Sequence, residues 1–165
     1  MKNFACLAAL AAVATIAATP AAAQNSANAN ATLRVTKPLI LTRDTHLDFG
    51  TVVVWGNGVV DMEQDGTISC TVTTLTCDAT GTPATFSIQG TNNRVVDISA
   101  PATVTLSNGA GSDLTLNTDF PGTRTLNSSG VGNTTQFSIA GTVALAEATP
   151  AGTYTGTMNV TVSYQ

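Results

Sequence analysis

The final fourteen residues, Gly152 to Gln165, alternate without interruption: Tyr154, Gly156, Met158, Val160, Val162 and Tyr164 fall in one register, Thr153, Thr155, Thr157, Asn159, Thr161 and Ser163 in the other. Successive side chains of a strand point to opposite faces, whereas a helix would scatter these residues around its circumference. The pattern predicts a half-buried β-strand that ends the chain inside a sheet. A polypeptide that closes on such a strand must supply other strands to receive it.

The preceding sequence offers them. Leu39 to Leu41 and Leu47 to Val54 read as buried strands following Pro38, which lacks a backbone donor and marks a break or an edge. Gly56-Asn57-Gly58 and Asp65-Gly66 are turn signals on either side of Val59 to Met62. Thr67 to Val72, Ala84 to Gly90, Arg94 to Ser99, Thr103 to Leu106 and Leu114 to Leu116 continue the run, with one short strand near Thr123 to Leu126 and an unbroken alternation from Phe137 to Leu145. Eight to ten short strands with regular turns and no convincing helix after the leader predict an all-β protein, an immunoglobulin-like antiparallel sandwich with Greek-key connections. Threonine, present thirty times, is β-branched and suits a pleated, half-wet surface.

At the other end, Met1-Lys2-Asn3-Phe4 precedes an apolar run from Ala5 to Thr19 and an Ala-x-Ala site ending at Ala23. This has the form of a bacterial secretory signal peptide over 1–23, too short to span as a membrane helix. The expected mature chain has an extension or first strand at 24–36 and a sandwich domain at 37–165, with no membrane span. Loss of Lys2 takes the net charge from −4 to about −5. With no basic cluster, nucleic acid is excluded as an expected partner. Cys70 and Cys77 are the cysteines left after processing. In an oxidising compartment they are expected to pair, contributing about 2–3 kcal/mol.

The glycine at 152, the penultimate aromatic Tyr164 and the alternation between them resemble the C-terminal β-zipper of chaperone-usher pilins. In that family the edge of the last strand is left open and is filled by a strand from elsewhere. Ala27, Ala29, Ala31, Leu33 and Val35 recur at period two. The resemblance implies that they form a donor strand completing a neighbouring subunit; the residues alone equally suit the first strand of their own sandwich. Over nearly the whole mature chain, Leu47-Asp-Phe49-Gly50, Ala84-Thr-Phe86-Ser-Ile88-Gln-Gly90, Phe137-Ser-Ile139-Ala-Gly141-Thr142 and Gly152-Thr-Tyr154-Thr-Gly156 resemble the bacterial secreted family catalogued as domain of unknown function 4402. That family is similar in layout to the spore coat protein U and pilin group. Those relatives commonly carry a cysteine in the first strand, where this chain has Lys37-Pro38.

Little of the sequence points to chemistry. Asp44, His46 and Asp48 would share one strand face, which fits an acid/base or metal site but fits a solvated face better. Asp61-Met-Glu63-Gln-Asp65-Gly66 begins like a calcium loop, yet its twelfth place is Val72 rather than a bidentate glutamate; a hairpin turn explains the same residues. No nucleophile elbow, zinc signature or phosphate loop occurs, so neither catalysis nor a cofactor or metal is expected. Trp55, at a strand end, could stack on a sugar or cap the sandwich.

Two functions follow as expectations. One is an extracellular structural subunit of a pilus or fimbria, assembled by donor-strand addition between copies or related subunits, with a periplasmic chaperone and outer-membrane usher as partners and cell adhesion as its setting. The other is a self-contained secreted or periplasmic binding module, possibly for carbohydrate.

Overall fold

The computed structural model describes residues 25–127 and 134–165. The expected signal peptide over 1–23 lies outside the described residues. The chain divides into two units, one ending at Arg34 and one running from Val35 to Gln165. In the first, residues 25–34 are exposed and carry neither helix nor strand.

Strands account for all the regular structure among the described residues of the second unit. In chain order they are β1 (Ile40–Arg43), β2 (Val52–Val54), β3 (Gly58–Met62), β4 (Ile68–Cys70), β5 (Leu75–Cys77) and β6 (Ala84–Gln89). β7 (Val95–Ser99), β8 (Thr103–Ser107), β9 (Asp113–Asp119), β10 (Thr123–Thr125), β11 (Thr135–Leu145) and β12 (Thr161–Tyr164) complete them. Every pairing is antiparallel, so the expected all-β, antiparallel, sandwich-like architecture is what the chain adopts. Among the described residues no helix is long and apolar enough to cross a membrane.

The strand β11 organises the larger sheet. Its first half, Thr135 to Ile139, pairs with β6, and its second half pairs with β3 and with β9. At the change of partner stands Gly141 with φ +155, where a Cβ would run into the Asn117 carbonyl. Only glycine permits that approach. The smaller sheet runs β10-β7-β12, and β2 and β5 form a ribbon of their own.

Between the sheets lies the best-closed core: Phe86, Ile88, Val96, Ile98, Leu126, Phe137 and Ile139 are buried. Phe86 and Phe137 stack with ring centroids 5.2 Å apart. A second cluster, Val60, Met62, Ile68, Leu75 and Ala140, sits under the β2–β5 ribbon. The third, Val104, Leu116 and Val143, is covered only by half-buried side chains that include Leu106, Leu114 and Met158.

Two segments differ from expectation. Leu47 to Val54 is not one buried strand: the Asp48 side chain accepts from the Gly50 amide at 2.8 Å, Gly50 has φ +72, and pairing resumes only at Val52. The asparate-led turn competes with the ladder for the backbone. Within the disulfide loop, Leu75–Cys77 is itself a strand. The Cys70–Cys77 disulfide joins β4 to β5 with 6.4 Å between Cα atoms.

Candidate functional site: an open groove beside the last strand

The C-terminal segment behaves differently along its length. Tyr154, Met158, Val160, Val162 and Tyr164 are half-buried and the intervening residues exposed, which is the burial pattern the alternation predicts. Gly156 is exposed, yet a Cβ there would lie 2.5 Å from the Thr105 carbonyl oxygen and 2.8 Å from Leu106. Backbone pairing is restricted to the ends. Thr161 to Tyr164 pair with Ser99 to Val96. Thr155 exchanges bonds of 2.8 and 2.9 Å with Ser107. From Gly156 to Val160 no strand is formed.

Both bonded ends face the same stretch of chain, β7 running into β8. Gln165 donates to the Val95 carbonyl at 3.2 Å, so with a period of two the odd-numbered amides face that neighbour. The even-numbered ones, from Gly156 to Val162, face the opposite edge. Among the described strands β12 has β7 as its single partner, leaving that edge unpaired.

A matching edge stands across from it. Thr51 accepts from the Asp78 amide at 3.4 Å and Trp55 donates to Thr74 at 2.8 Å. Residues 51, 53 and 55 therefore turn toward β5, while Val52 and Val54 present their backbone groups away from it. Between the two edges runs a groove of about 1250 Å³, floored by the half-open third cluster and flanked by Phe49, Val52 and Val54 on one side and Tyr154, Met158 and Val160 on the other. Two unpaired backbone edges over an apolar floor are what an extended peptide needs to add itself as a strand.

Past the groove, whose lining ends at Val160, Tyr164 fastens the end of the last strand. Its hydroxyl donates to the Lys37 carbonyl at 2.7 Å and accepts from the Thr91 amide at 2.7 Å. Lys37 donates its own amide to Thr91 Oγ1 at 2.7 Å. The Arg94 guanidinium lies 5.7 Å from the Tyr164 ring centroid and donates to the Gln165 carbonyl at 2.6 Å. This pin, through which the chain enters the folded unit beside the end of its last strand, has no sequence signal beyond an aromatic at position 164.

The other sequence candidates are placed as follows. Ala27, Ala29, Ala31, Leu33 and Val35 lie outside any strand, with Leu33 86% and Val35 76% exposed. Gly152, at the open end of the groove, is exposed, and a Cβ there would have 3.6 Å to its nearest neighbour. His46 is exposed. Asp44 accepts instead from the Ser87 hydroxyl at 2.6 Å, and Asp48 holds Gly50. Asp65 caps a hairpin turn, accepting from the Thr67 amide at 2.8 Å, and that bond holds its carboxyl below the ordinary value. No group of three His, Cys, Asp or Glu among the described residues is arranged to hold a metal ion. Trp55 stands 71% exposed at the end of β2.

The family model described as Domain of unknown function (DUF4402) matches residues 39–164. The chain belongs to that family. No curated protein matches it. The family match begins after Pro38, so the groove and both of its walls fall within the shared domain, while residues 25–36 precede it.

Proposed function

We propose that this member of the DUF4402 family is an extracellular structural subunit, joined to other copies by β-strand addition and carrying out no catalysis. The observation that carries the reading is the groove with an unpaired backbone edge on each wall. A β2–β5 ribbon of two strands is marginal alone. A strand laid along Val52 and Val54 on one side and Gly156 to Val162 on the other would join that ribbon to the last strand in one continuous sheet.

The occupant is the segment carrying Ala27, Ala29, Ala31, Leu33 and Val35 from another copy. Its nine residues from 27 to 35 span about 30 Å as a strand, matching the nine from Tyr154 to Val162. Main-chain hydrogen bonds would supply affinity, and the alternate apolar side chains, seated on the floor, would set the register. The leader at 1–23 would deliver the chain through the envelope to the cell surface. An unfilled apolar groove with two bare edges is an aggregation hazard, so a periplasmic chaperone, and an outer-membrane usher to discharge it, are the partners this mechanism calls for.

The test is an unboiled denaturing gel of the envelope fraction, comparing the intact chain with one lacking Gln24 to Thr32. The expected result is a ladder of multiples that collapses on boiling and is missing in the deletion. Monomer bands from both would overturn the reading.

A further inference from the structure

The exposed apolar side chains of the folded domain gather in one place. Of the described large hydrophobic residues left exposed within 39–165, Val53, Trp55, Val59 and Val72 belong to the stretch from β2 to the turn before β5, and Ile40 stands apart in β1. Trp55 is 71% exposed and is the one tryptophan of the chain. Single exposed apolar residues are ordinary on a surface, whereas a cluster of them marks a contact.

The strand register puts the indole on a defined face. β2 pairs with β5 so that Val53 stands opposite Thr76 and Val54 opposite Leu75, and the Trp55 amide donates to the Thr74 carbonyl at 2.8 Å. Leu75 is buried and Val52 and Val54 are half-buried, so Val53, Trp55, Thr74 and Thr76 share the outward face of the ribbon. The turn after Trp55 is held from several sides. Gly56 donates to the same Thr74 carbonyl at 3.2 Å, and the Thr74 hydroxyl donates to the Asn57 carbonyl at 2.7 Å. The Asn57 side-chain oxygen accepts from the Glu147 amide at 2.9 Å, which fixes the carboxamide and leaves its Nδ2 donors without a partner among the described residues. Because indole and turn are ordered before any ligand arrives, little freedom is lost on binding.

Charge and size narrow the ligand. The arginines of 39–165 are Arg43 in β1, Arg94 just before β7 and Arg124 in β10, and none of these strands pairs with the ribbon. Asp78, the carboxylate at the far end of β5, already accepts from the Thr51 amide at 3.0 Å. The face therefore offers nothing to an anion. Four exposed side chains also fall well short of the about 800 Å² per partner that a stable protein interface buries. They suit a pyranose ring, which has an apolar C–H face to lay on an indole and a rim of hydroxyls to exchange hydrogen bonds with Thr and Asn. We infer that the outward face of the β2–β5 ribbon binds neutral carbohydrate, with Trp55 as the platform and Thr74, Thr76 and Asn57 as the polar contacts. This goes beyond strand addition and does not rest on it, since Trp55 lies outside the groove's lining. In an assembly of many copies, weak single sites of this kind would add up to avidity.

With a single tryptophan in the chain, indole emission reports this face directly. The full secreted chain is titrated with cellohexaose, chitohexaose and mannohexaose, and with oligogalacturonate as the anionic comparison. A saturable change in emission with at least one neutral sugar, and none with oligogalacturonate, is expected. Calorimetric titration with the responding sugar should show Trp55→Ala weakened about tenfold or more, with Trp55→Phe, which keeps a ring, between it and the parent. Emission that none of the three neutral sugars changes, or a Trp55→Ala affinity equal to that of the parent, would overturn the inference. Trp55→Ala should leave the unboiled ladder as it is. Loss of the ladder with the fold intact would assign this face to contact between subunits and overturn the inference as well. A parent that binds sugar and forms no ladder would remove strand addition and support this site alone.

Discussion

The two ends of the last segment share one side-chain pattern and differ in everything the backbone does. From Thr161 to Tyr164 the strand is zipped to β7, its inward side chains pack on a core whose members Ile88, Val96, Leu126 and Ile139 are 0% exposed, and its terminal hydroxyl is bonded twice. From Gly156 to Val160 the same alternation continues over a floor of half-buried leucines, with no ladder pairing along either edge. The closed end has what a sandwich needs for stability. The open end has the same apolar chemistry without the backbone pairing. A chain that closed both ends alike would be a self-sufficient domain; on the function proposed above, the difference leaves the open end to receive a strand.

If that contrast is real, truncations on the two sides should differ widely in cost. Ile139→Ala removes a fully buried side chain from the closed core and is expected to cost about 3–5 kcal/mol. Leu114→Ala trims the groove floor, where the side chain is half-exposed already, and should cost about 1 kcal/mol or less in the monomer while weakening assembly. Urea unfolding of each variant against the parent, alongside the unboiled gel, gives both numbers. Equal losses would mean the groove is as closed as the core, and the comparison would fail.

The glycines sharpen it further. At Gly90 a Cβ would lie 2.6 Å from the Tyr164 hydroxyl and 2.7 Å from Leu126. Gly90→Ala should therefore disturb the pin and cost about 1–3 kcal/mol. At Gly152 the nearest atom would be 3.6 Å away, so Gly152→Ala should stay within about 0.5 kcal/mol of the parent. Thermal unfolding of the pair separates them. A destabilised Gly152→Ala monomer would show that the open end is packed after all.

Much of this fold was readable in the residues. The alternation of 154 to 164 predicted its burial at every position but Gly156, which is exposed, and Phe137 to Leu145 became the long β11. What alternation cannot reveal is which edge of a strand is occupied. Side-chain pattern reports the two faces, whereas edges are backbone, and every residue but proline offers the same donor and acceptor. Hence nothing in Gly156 to Val160 announced that pairing would lapse there. The break in Leu47 to Val54 was legible in principle, since Asp48-Phe49-Gly50 is a turn signature, but five apolar residues around it outweighed the turn in a reading by periodicity. The Tyr164 pin joins residues 127 positions apart in sequence, and local pattern has no access to such a contact.

The smallest expected effect lies away from both ends, at the turn between β3 and β4, and serves as a control on the comparison. The Thr67 amide, then its hydroxyl, hold the Asp65 carboxyl below its ordinary 3.8. A lowered value in the folded state means that folding favours the carboxylate. Its contribution is therefore fully present above about pH 4 and is lost as pH falls through the lower folded value. Asp65→Asn keeps the turn acceptor and removes the charge. It should be slightly less stable than the parent at pH 7, and the gap should close as acid protonates the parent, as read by urea unfolding at pH 7 and at low pH. Because the turn touches neither groove wall, the ladder on an unboiled gel should be unchanged by the substitution. A variant that lost the ladder while keeping its fold would show that assembly depends on the whole outer sheet, and the division into a closed end and an open end would have to be redrawn.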